Sequence, residues 1–292
     1  MDATNGASNP DGHNHSAAVP ARPAVQAAQF LPPAPYPLPP STVAVVQATP
    51  VVFDRAATVE KAVGLAREAA RQGARLVLFP ESFVPAYPRG LSFGAVVGNR
   101  TAAGRALFAR YAAAAVEAPG PETARLGATA RELGIHLAIG VTERDPVSRG
   151  TLYCTLLLFG PDGRIVLHHR KMKPTASERL VWGEGDGASV TTVATPLGNV
   201  GGLICWENYM PLARAALYAQ GVDLYLAPTA DARDSWQVTI RHIALEGRCF
   251  VLACNQYATR ADYPADLDPA SCAELDAQPP VLCRGGSAIV GP

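Results

Sequence analysis

The chain has 292 residues and no formal net charge, because 25 Lys and Arg residues balance 25 Asp and Glu residues. It therefore lacks the basic excess that binds nucleic acid, and it has no apolar run of about 18 residues that could span a membrane. The first residues show no secretory signal and the six cysteines include no CxxC pair, so we expect a cytoplasmic protein with reduced thiols.

Residues 1–40 differ in composition from the rest of the chain. They hold nine of the 26 prolines and only three charged residues, Asp2, Asp11 and Arg22. The closely spaced prolines from residue 32 to residue 40 remove backbone hydrogen-bond donors and favour an extended polyproline conformation. We therefore predict that residues 1–40 form a disordered arm outside the folded domain.

From residue 42 onward, short apolar runs rich in β-branched residues alternate with stretches of helical periodicity. Asp54 is expected to cap the first helix and Gly73 to end it. The turn Pro161-Asp162-Gly163 predicts a β-hairpin. Strands are predicted at 43–47, 76–80, 136–144, 153–160, 165–171, 190–195, 200–205, 223–227, 250–256 and 287–290. Helices are predicted between Asp54 and Gly73 and at 101–117, 121–133, 211–220 and 235–247.

The order of these elements predicts the fold class. Strand–helix–strand units at each end, with hairpins between them, indicate an α/β fold built in layers. The last predicted strand runs into Gly291-Pro292 with no closing helix after it. We therefore expect one domain over residues 41–292 that is truncated at its C-terminus, with an unpaired final strand.

Three segments place a reactive or charged residue at the end of an apolar strand, where ligands usually bind in layered α/β folds. In the first segment, LVLFPESF, Glu81 follows the predicted strand at 76–80. Apolar neighbours would desolvate this carboxylate and raise its pKa towards the range of a general base. From the residues alone, a helix cap or a surface salt bridge is the alternative.

The second segment, HHRKMKPTASER, contains a lysine followed by a glutamate. Lys171 ends the return strand of the predicted hairpin, and Pro174 prevents the strand from continuing. Glu178 lies seven residues after Lys171. A fixed ammonium group can stabilise negative charge that develops on a substrate. The alternative is an ordinary solvated run of basic residues at a strand end.

The third segment, VGGLICWEN, contains a cysteine that closes a predicted strand. Gly201 and Gly202 allow another backbone to approach this strand closely. The Cys205 thiol, with the backbone N–H groups of Trp206 and Glu207 nearby, could be a nucleophile beside an oxyanion hole. The alternative is a small buried hydrophobic residue. We assign that structural role to three other cysteines in apolar strand patterns: Cys154, Cys249 and Cys254.

The segments FPES, HRKMKPTASER and GGLICWEN, in this order, resemble the nitrilase branch of the carbon–nitrogen hydrolase superfamily. AYPRG, GNRTAAGRALF, PTADARDSWQ, HIALEGRCFVL and RGGSAIVGP are similar to further nitrilase segments, so the resemblance covers roughly residues 42–292. The GNRTA and APTADARD stretches are most similar to plant-type nitrilases, including the group that hydrolyses β-cyanoalanine. Bacterial aliphatic nitrilases share much of the pattern.

The resemblance implies an α-β-β-α sandwich and a role for each motif residue. Glu81 is expected to be the general base, Lys171 the cation that stabilises developing charge, and Cys205 the nucleophile. Glu178 matches a second carboxylate that the family places beside the lysine. Two aromatic residues are expected to line the substrate pocket: Tyr87 and Trp206.

The implied activity is hydrolysis of an organic nitrile to a carboxylic acid and ammonia through a cysteine thioimidate and thioester, with some amide as a side product. The expected substrate is 3-cyanoalanine or a small aliphatic or arylaliphatic nitrile. No metal or organic cofactor is expected. The expected partners are the small nitrile and further copies of the chain, in a dimer or a larger spiral.

Three alternatives remain open at this point. An amidase or carbamoylase of the same superfamily would use the same Glu, Lys and Cys residues. Thiol catalysis assisted by a histidine would require His169 or His242 to contact Cys205. A catalytically inactive interaction protein is the third alternative, because an unpaired final strand would expose a sheet edge to a partner.

Overall fold

The computed structural model describes residues 38–292. The arm predicted over residues 1–40 therefore lies outside the described residues, apart from its last three. In the part of the chain that is described, no helix is both long and apolar enough to cross a membrane. All six cysteines lie in this part and are free thiols.

Between residues 38 and 292 the chain forms fourteen β-strands and six α-helices. The strands are β1 (Thr42–Val45), β2 (Ala74–Leu78), β3 (Ala95–Val96), β4 (Asn99–Arg100), β5 (His136–Arg144), β6 (Leu152–Phe159), β7 (Ile165–Arg170), β8 (Val193–Thr195), β9 (Gly198–Gly202), β10 (Leu224–Thr229), β11 (Phe250–Asn255), β12 (Tyr257–Thr259), β13 (Val281–Arg284) and β14 (Ala288–Val290). The helices are α1 (Arg55–Arg71), α2 (Ala102–Ala114), α3 (Pro121–Leu133), α4 (Pro211–Ala219), α5 (Asp234–Gly247) and α6 (Pro269–Asp276).

Ten of these strands form two five-stranded sheets of mixed direction. The first sheet has the order β1-β2-β5-β6-β7, and the second has the order β14-β11-β10-β9-β8. Three adjacent strands of each sheet are parallel, namely β1, β2 and β5 in the first and β9, β10 and β11 in the second. Antiparallel strands complete both sheets. Parallel neighbouring strands must be joined by crossover connections, and here these connections contain the helices that lie against the sheets.

The two sheets pack face to face. Successive residues of a strand point to opposite sides of its sheet, so one face of each sheet meets the other sheet and the opposite face meets helices. In β2, Leu76 and Leu78 point into the layer between the sheets, which they share with Leu226 and Leu252 of the second sheet. Val77 points to the other side, into the core under α1 and α3. Helices α4 and α5 cover the second sheet in the same way. The fold is therefore the α-β-β-α sandwich that the resemblance implies.

Most predicted elements are confirmed, with small shifts at their ends. Asp54 caps α1 by accepting a hydrogen bond of 2.9 Å from the Ala57 N–H, and Gly73 follows the helix with a φ of +91°. Two predictions at strand ends are wrong. Strand β9 stops at Gly202, so that Cys205 lies beyond the strand, in a short 3-10 helix. The final strand is not unpaired, because β14 pairs antiparallel with β11.

The elements that the sequence prediction missed are short. Strands β3 and β4 have two residues each, β12 has three and β13 has four, which is too short for an alternating pattern to be visible. Helix α6 has eight residues, of which only Ser271 and Leu275 are buried. The helix begins at Pro269 and is capped by Asp268, so the residues that indicate a helix in the sequence lie at its N-terminus.

A buried cluster of charged groups joins three strands of the first sheet. Glu143 on β5 is fully buried; its carboxylate lies 2.8 Å from His168 Nε2 and accepts hydrogen bonds from Arg170 at 3.1 Å and Thr155 at 2.7 Å. Burial by itself raises the pKa of Glu143, but the bonds to His168 and Arg170 outweigh burial and lower the pKa to about 2. The cluster therefore fixes the end of β7 just before Lys171.

We expect Glu143→Gln to lower the free energy of unfolding at pH 7 by about 3 kcal/mol, as follows from a pKa that is lowered from 4.5 to about 2 on folding. This stabilisation is present above pH 4.5 and is lost as the pH falls towards 2, so wild type and variant should converge there. Urea denaturation at several pH values measures the difference. Glu132→Gln, at an exposed partner of Arg67, is the matched control; an equally small effect of both substitutions would contradict the prediction.

Candidate active site

Glu81, Lys171 and Cys205 come together from both sheets. Glu81 follows β2, Lys171 follows β7, and Cys205 follows β9. Glu81 and Lys171 are fully buried, and Cys205 is 4% exposed. Burial excludes the surface salt bridge for Glu81 and the solvated basic run for Lys171. These residues therefore form a compact polar group inside the sandwich.

The chain after β2 holds Glu81 against β5. A Cβ atom at Gly140 would lie 2.2 Å from the Pro80 oxygen and 2.7 Å from Glu81 Cα, so only glycine fits at this point of β5. Directly after β11 of the second sheet, the Gln256 side chain donates a hydrogen bond of 2.7 Å to the Glu81 carbonyl oxygen. The position of Glu81 is therefore fixed by both sheets.

Lys171 is held between two carboxylates. Its Nζ lies 2.7 Å from Glu81 Oε1 and 2.8 Å from Glu178 Oε2. Burial lowers the pKa of an ammonium group, but the negative charges around Lys171, Glu81 first, outweigh burial and raise its pKa well above the usual value. The side chain therefore stays charged. The solvated lysine of this segment is Lys173, whose side chain is 54% exposed.

Glu178 lies in the 3-10 helix Ala176–Leu180 and is fixed from three directions. Besides the bond from Lys171, its carboxylate accepts hydrogen bonds from the Thr175 N–H at 2.6 Å and from the Tyr87 hydroxyl at 2.7 Å. Burial and the neighbouring Glu178 raise the pKa of Tyr87 well above its usual value, so Tyr87 remains a donor. Glu178 therefore orients both the lysine and the tyrosine.

The buried groups can exchange a proton. Burial raises the pKa of the Glu81 carboxyl group, and the opposing effect of Lys171 does not cancel this rise. Burial also raises the pKa of the Cys205 thiol. Glu81 Oε2 has no hydrogen-bond partner among the described residues. A protonated thiol thus lies beside a carboxylate with an increased affinity for protons and an oxygen free to accept one.

Cys205 lies in a strained turn. Its φ of +51° is in the left-handed region, which non-glycine residues rarely adopt. The Asn208 side chain donates hydrogen bonds to the carbonyl oxygens of Cys205 at 2.7 Å and Leu203 at 3.0 Å. Tyr225 in turn donates a bond of 2.8 Å to Asn208 Oδ1. The turn is therefore held in this conformation by buried side chains.

The side chain of Glu207 also belongs to the site, although the sequence analysis considered only the backbone N–H of this residue. It is buried, and its carboxylate accepts hydrogen bonds from the N–H groups of Ile204 at 2.7 Å and Met172 at 2.6 Å. It therefore ties the turn of Cys205 to the segment that follows β7. The Glu207 N–H donates to the Ile204 oxygen at 3.1 Å, so its predicted role in an oxyanion hole is wrong. The Trp206 N–H is left as the candidate donor.

The two histidines considered as catalytic partners have other contacts. His169 Nε2 lies 2.9 Å from Glu207, and His169 Nδ1 lies 2.8 Å from Ser189, so both ring nitrogens are engaged. The His242 side chain is 61% exposed on α5, 3.5 Å from Glu246. Neither ring is positioned to take a proton from the buried thiol, so the histidine-assisted alternative is wrong.

A cavity of about 410 Å³ leads to Cys205 and is bordered by Tyr87 and Trp206. Trp206 is 40% exposed; its indole Nε1 donates a hydrogen bond of 3.0 Å to Asp231, and the Arg233 guanidinium lies 4.8 Å from the centroid of its ring. Trp206 therefore forms a fixed wall of the cavity. Within residues 38–292, no three His, Cys, Asp or Glu side chains are grouped so that they could hold a metal ion.

Two further side chains touch the site, and neither carried a signal in the sequence. Cys154 on β6, which we assigned to the core, has its Sγ 3.5 Å from Glu81 Oε1. Thr229 ends β10, and its Oγ1 lies 3.1 Å from the Cys205 Sγ. Both residues fit an apolar β-strand pattern, which does not reveal that they meet a reactive group.

Comparisons with known proteins extend over the same region. The family profile of carbon–nitrogen hydrolases matches residues 42–292. An aliphatic nitrilase of Sinorhizobium fredii is 55% identical over 249 residues, which cover 85% of this chain and 79% of that protein. The bifunctional nitrilase/nitrile hydratase NIT4B of Nicotiana tabacum is 50% identical over 249 residues, 85% of this chain and 71% of that protein.

Solved structures agree with the architecture. The crystal structure of an amidase from Nesterenkonia sp. matches with a TM-score of 0.60 and 21% sequence identity, over 85% of this chain and 81% of that one. At this identity the match supports the fold alone. The sequence matches confirm the resemblance in the motifs: the chain belongs to the carbon–nitrogen hydrolase family, in its nitrilase branch.

Proposed function

We propose that the protein is a nitrilase, which converts an organic nitrile and two water molecules into a carboxylic acid and ammonia. The observation that carries the proposal is the buried ammonium of Lys171, held between Glu81 and Glu178 beside the thiol of Cys205. Addition of a thiol to a carbon–nitrogen triple bond requires a proton acceptor and a fixed positive charge. The relatives named as nitrilases support a nitrile as the substrate class.

In the first step, the Cys205 sulfur forms a bond to the nitrile carbon while Glu81 accepts the thiol proton. One carbon–nitrogen π bond breaks, and its electron pair moves to nitrogen, where Lys171 and the Trp206 N–H stabilise the negative charge. Glu81 then transfers its proton to that nitrogen, so the product is a neutral thioimidate. The raised pKa of Glu81 favours acceptance of the proton in this sequence.

In the second half, a water molecule adds to the thioimidate carbon while Glu81 accepts its proton. Glu81 passes this proton to the nitrogen, which gives a tetrahedral intermediate with a hydroxyl and an amino group. As the carbon–nitrogen bond breaks, the hydroxyl proton moves to the nitrogen by way of Glu81, so ammonia leaves and a thioester of Cys205 remains. A second water molecule attacks the thioester, the carbon–sulfur bond breaks, and the thiol and the acid are released. If the tetrahedral intermediate expels the thiolate instead of ammonia, an amide is released. One carboxylate serves each step because it returns the proton that it accepts.

The remaining residues position these groups. Glu178 keeps Lys171 in place, and Tyr87 and Trp206 contact the substrate at the wall of the cavity. A cavity of about 410 Å³ suits a small molecule, which is consistent with 3-cyanoalanine or a small aliphatic or arylaliphatic nitrile. None of these steps requires a metal or an organic cofactor.

Two features bear on the alternatives and on assembly. An amidase or carbamoylase would use the same Glu81, Lys171 and Cys205, so product analysis must separate these activities. The inactive alternative is disfavoured because these side chains are joined in one buried network.

Self-association stays a prediction, supported by large apolar side chains that α4 and α5 expose: Leu212 (86%), Val238 (67%) and Leu245 (67%). The cytoplasmic location also stays a prediction.

We expect wild-type protein to release ammonia and carboxylic acid from a panel of 3-cyanoalanine, phenylacetonitrile and simple aliphatic nitriles, and to release less ammonia from the matching amides. Cys205→Ala should reduce this release by more than about 1,000-fold, because no nucleophile remains. Cys249→Ala, at a buried thiol in the core behind the second sheet, is the control that should keep activity. Turnover by folded Cys205→Ala would refute the mechanism, and a preference for amides would favour the amidase alternative.

We expect Glu178→Gln to lower kcat by about 10- to 100-fold, because Lys171 loses one of its two charged partners. Glu184→Gln is the matched control, since Glu184 pairs with the exposed Lys173 of the same segment. Steady-state kinetics with a nitrile measure the effect. Equal activities of the two variants would contradict the role of Glu178.

The acid limb of the pH profile of kcat/KM should reflect the raised pKa of Glu81. Glu81 must be ionised to accept the thiol proton, so we expect activity to fall with falling pH already above pH 4.5, the usual pKa of a glutamate. The pKa of Lys171 is raised well above 10.5, so its charge should not limit activity up to pH 9. Initial rates between pH 4 and 9, with circular dichroism to confirm folding, test this. Constant kcat/KM down to pH 4.5 would contradict it.

A further inference from the structure

We propose that Thr229 is a further catalytic residue, whose hydroxyl group donates a hydrogen bond to the Cys205 sulfur and stabilises negative charge on it during the reaction. The inference rests on the proposed function, in which Cys205 is the nucleophile. It assigns a separate donor to the sulfur, whereas Lys171 serves the charge on the substrate nitrogen.

The position of Thr229 is fixed by the second sheet. It is the last residue of β10, is fully buried, and is paired in register with Asn255 of β11. Its Oγ1 lies 3.1 Å from the Cys205 Sγ. The same strand also holds the segment that leads to the thiol, because the Leu203 N–H donates to the Leu226 oxygen at 3.1 Å. Hydroxyl and thiol are therefore held against each other by one strand.

The Thr229 hydroxyl is the donor in its contact with the Cys205 sulfur, and its other neighbour is consistent with this. A hydroxyl group has one proton and two lone pairs. The Asp231 N–H donates to Thr229 Oγ1 at 2.9 Å and so occupies an acceptor position of this oxygen. The turn that carries Asp231 is itself fixed, since Asn255 Nδ2 donates to the Asp231 oxygen at 2.9 Å. The hydroxyl proton is thereby left for the sulfur of Cys205.

A donor at this position acts on the states in which the sulfur is charged. Burial raises the pKa of Cys205, and the hydrogen bond from Thr229 lowers it, so the contact offsets part of the cost of a buried thiolate. Negative charge develops on sulfur when Glu81 removes the proton and again when the thioester carbon–sulfur bond breaks. In the thioimidate and the thioester the sulfur is neutral. The contact is therefore stronger near the transition states than in the intermediates between them.

The test compares Thr229→Val, which keeps the volume and removes the hydroxyl, with Thr229→Ser, which keeps the hydroxyl. Alkylation of Cys205 by iodoacetamide, followed by mass spectrometry of its peptide, reports on the thiolate without any nitrile. We expect Thr229→Val to react about 10- to 100-fold more slowly at pH 7 and its rate profile to move to higher pH. The value of kcat should fall by a similar factor with KM nearly unchanged, and Thr229→Ser should restore most of both rates.

Two comparisons exclude a purely structural effect. Thr195→Val, in the edge strand β8, removes a buried hydroxyl that donates a hydrogen bond to the Gly198 carbonyl oxygen of β9, and it should leave alkylation unchanged. Thr229→Ala is a second variant without the hydroxyl; normal alkylation by folded Thr229→Val or folded Thr229→Ala overturns the proposal. If wild-type protein hydrolyses no nitrile, the proposed function fails, whereas the alkylation rates still decide whether Thr229 acts on the sulfur.

Discussion

The ammonium group of Lys171, between the buried carboxylate of Glu81 and the partly buried carboxylate of Glu178, is the interaction on which the rest of the site depends. Taking these ions out of water costs several kcal/mol for each of them, so each needs further partners. Glu178 has them in the Thr175 N–H and the Tyr87 hydroxyl. Glu81 has fewer, and the second carboxylate adds to the rise of its pKa. Glu178 therefore helps to keep the lysine charged and, together with burial, increases the affinity of Glu81 for a proton.

The two sheets contribute different parts of the chemistry. The first sheet positions Glu81 and Lys171, and the second positions Cys205 and Thr229. The hydrophobic layer between the sheets and polar contacts across it set their relative placement. One of these contacts is the carboxylate of Glu207, which accepts hydrogen bonds from the N–H of Met172 after β7 and from the N–H of Ile204 after β9. A small shift between the sheets would change the distance from thiol to carboxylate before it exposed any core residue. We therefore expect activity to respond to inter-sheet packing more sharply than stability does.

The sequence was informative where local chemistry determines structure. Asp54, Gly73 and the Pro161-Asp162-Gly163 turn predicted α1 and the β6–β7 hairpin, and the motif resemblance brought Glu81, Lys171, Glu178 and Cys205 into one site. It was uninformative where a contact joins distant residues. Thr229 and Cys154 reach the site through strand pairing and sheet packing, and their own neighbours in sequence are ordinary strand residues. The sequence predicts a strand end at Cys205 instead of a turn, because a left-handed φ at a non-glycine residue has no signature in the residue types.

Burial of the thiol shapes the reactivity of the site. A cysteine whose pKa is raised by burial is mostly protonated at neutral pH, and the protonated form reacts poorly with electrophiles and oxidants. Its nucleophilicity then depends on the transfer of a proton to Glu81 at the moment when a substrate carbon is in place. In the proposed mechanism, Lys171 stabilises the charge that forms on the substrate nitrogen when the sulfur attacks, and Thr229 stabilises the charge on the sulfur. In this mechanism the thiol is activated only when an electrophilic substrate carbon is in place for the sulfur to attack. A permanently ionised thiolate would be reactive whether or not a substrate is bound.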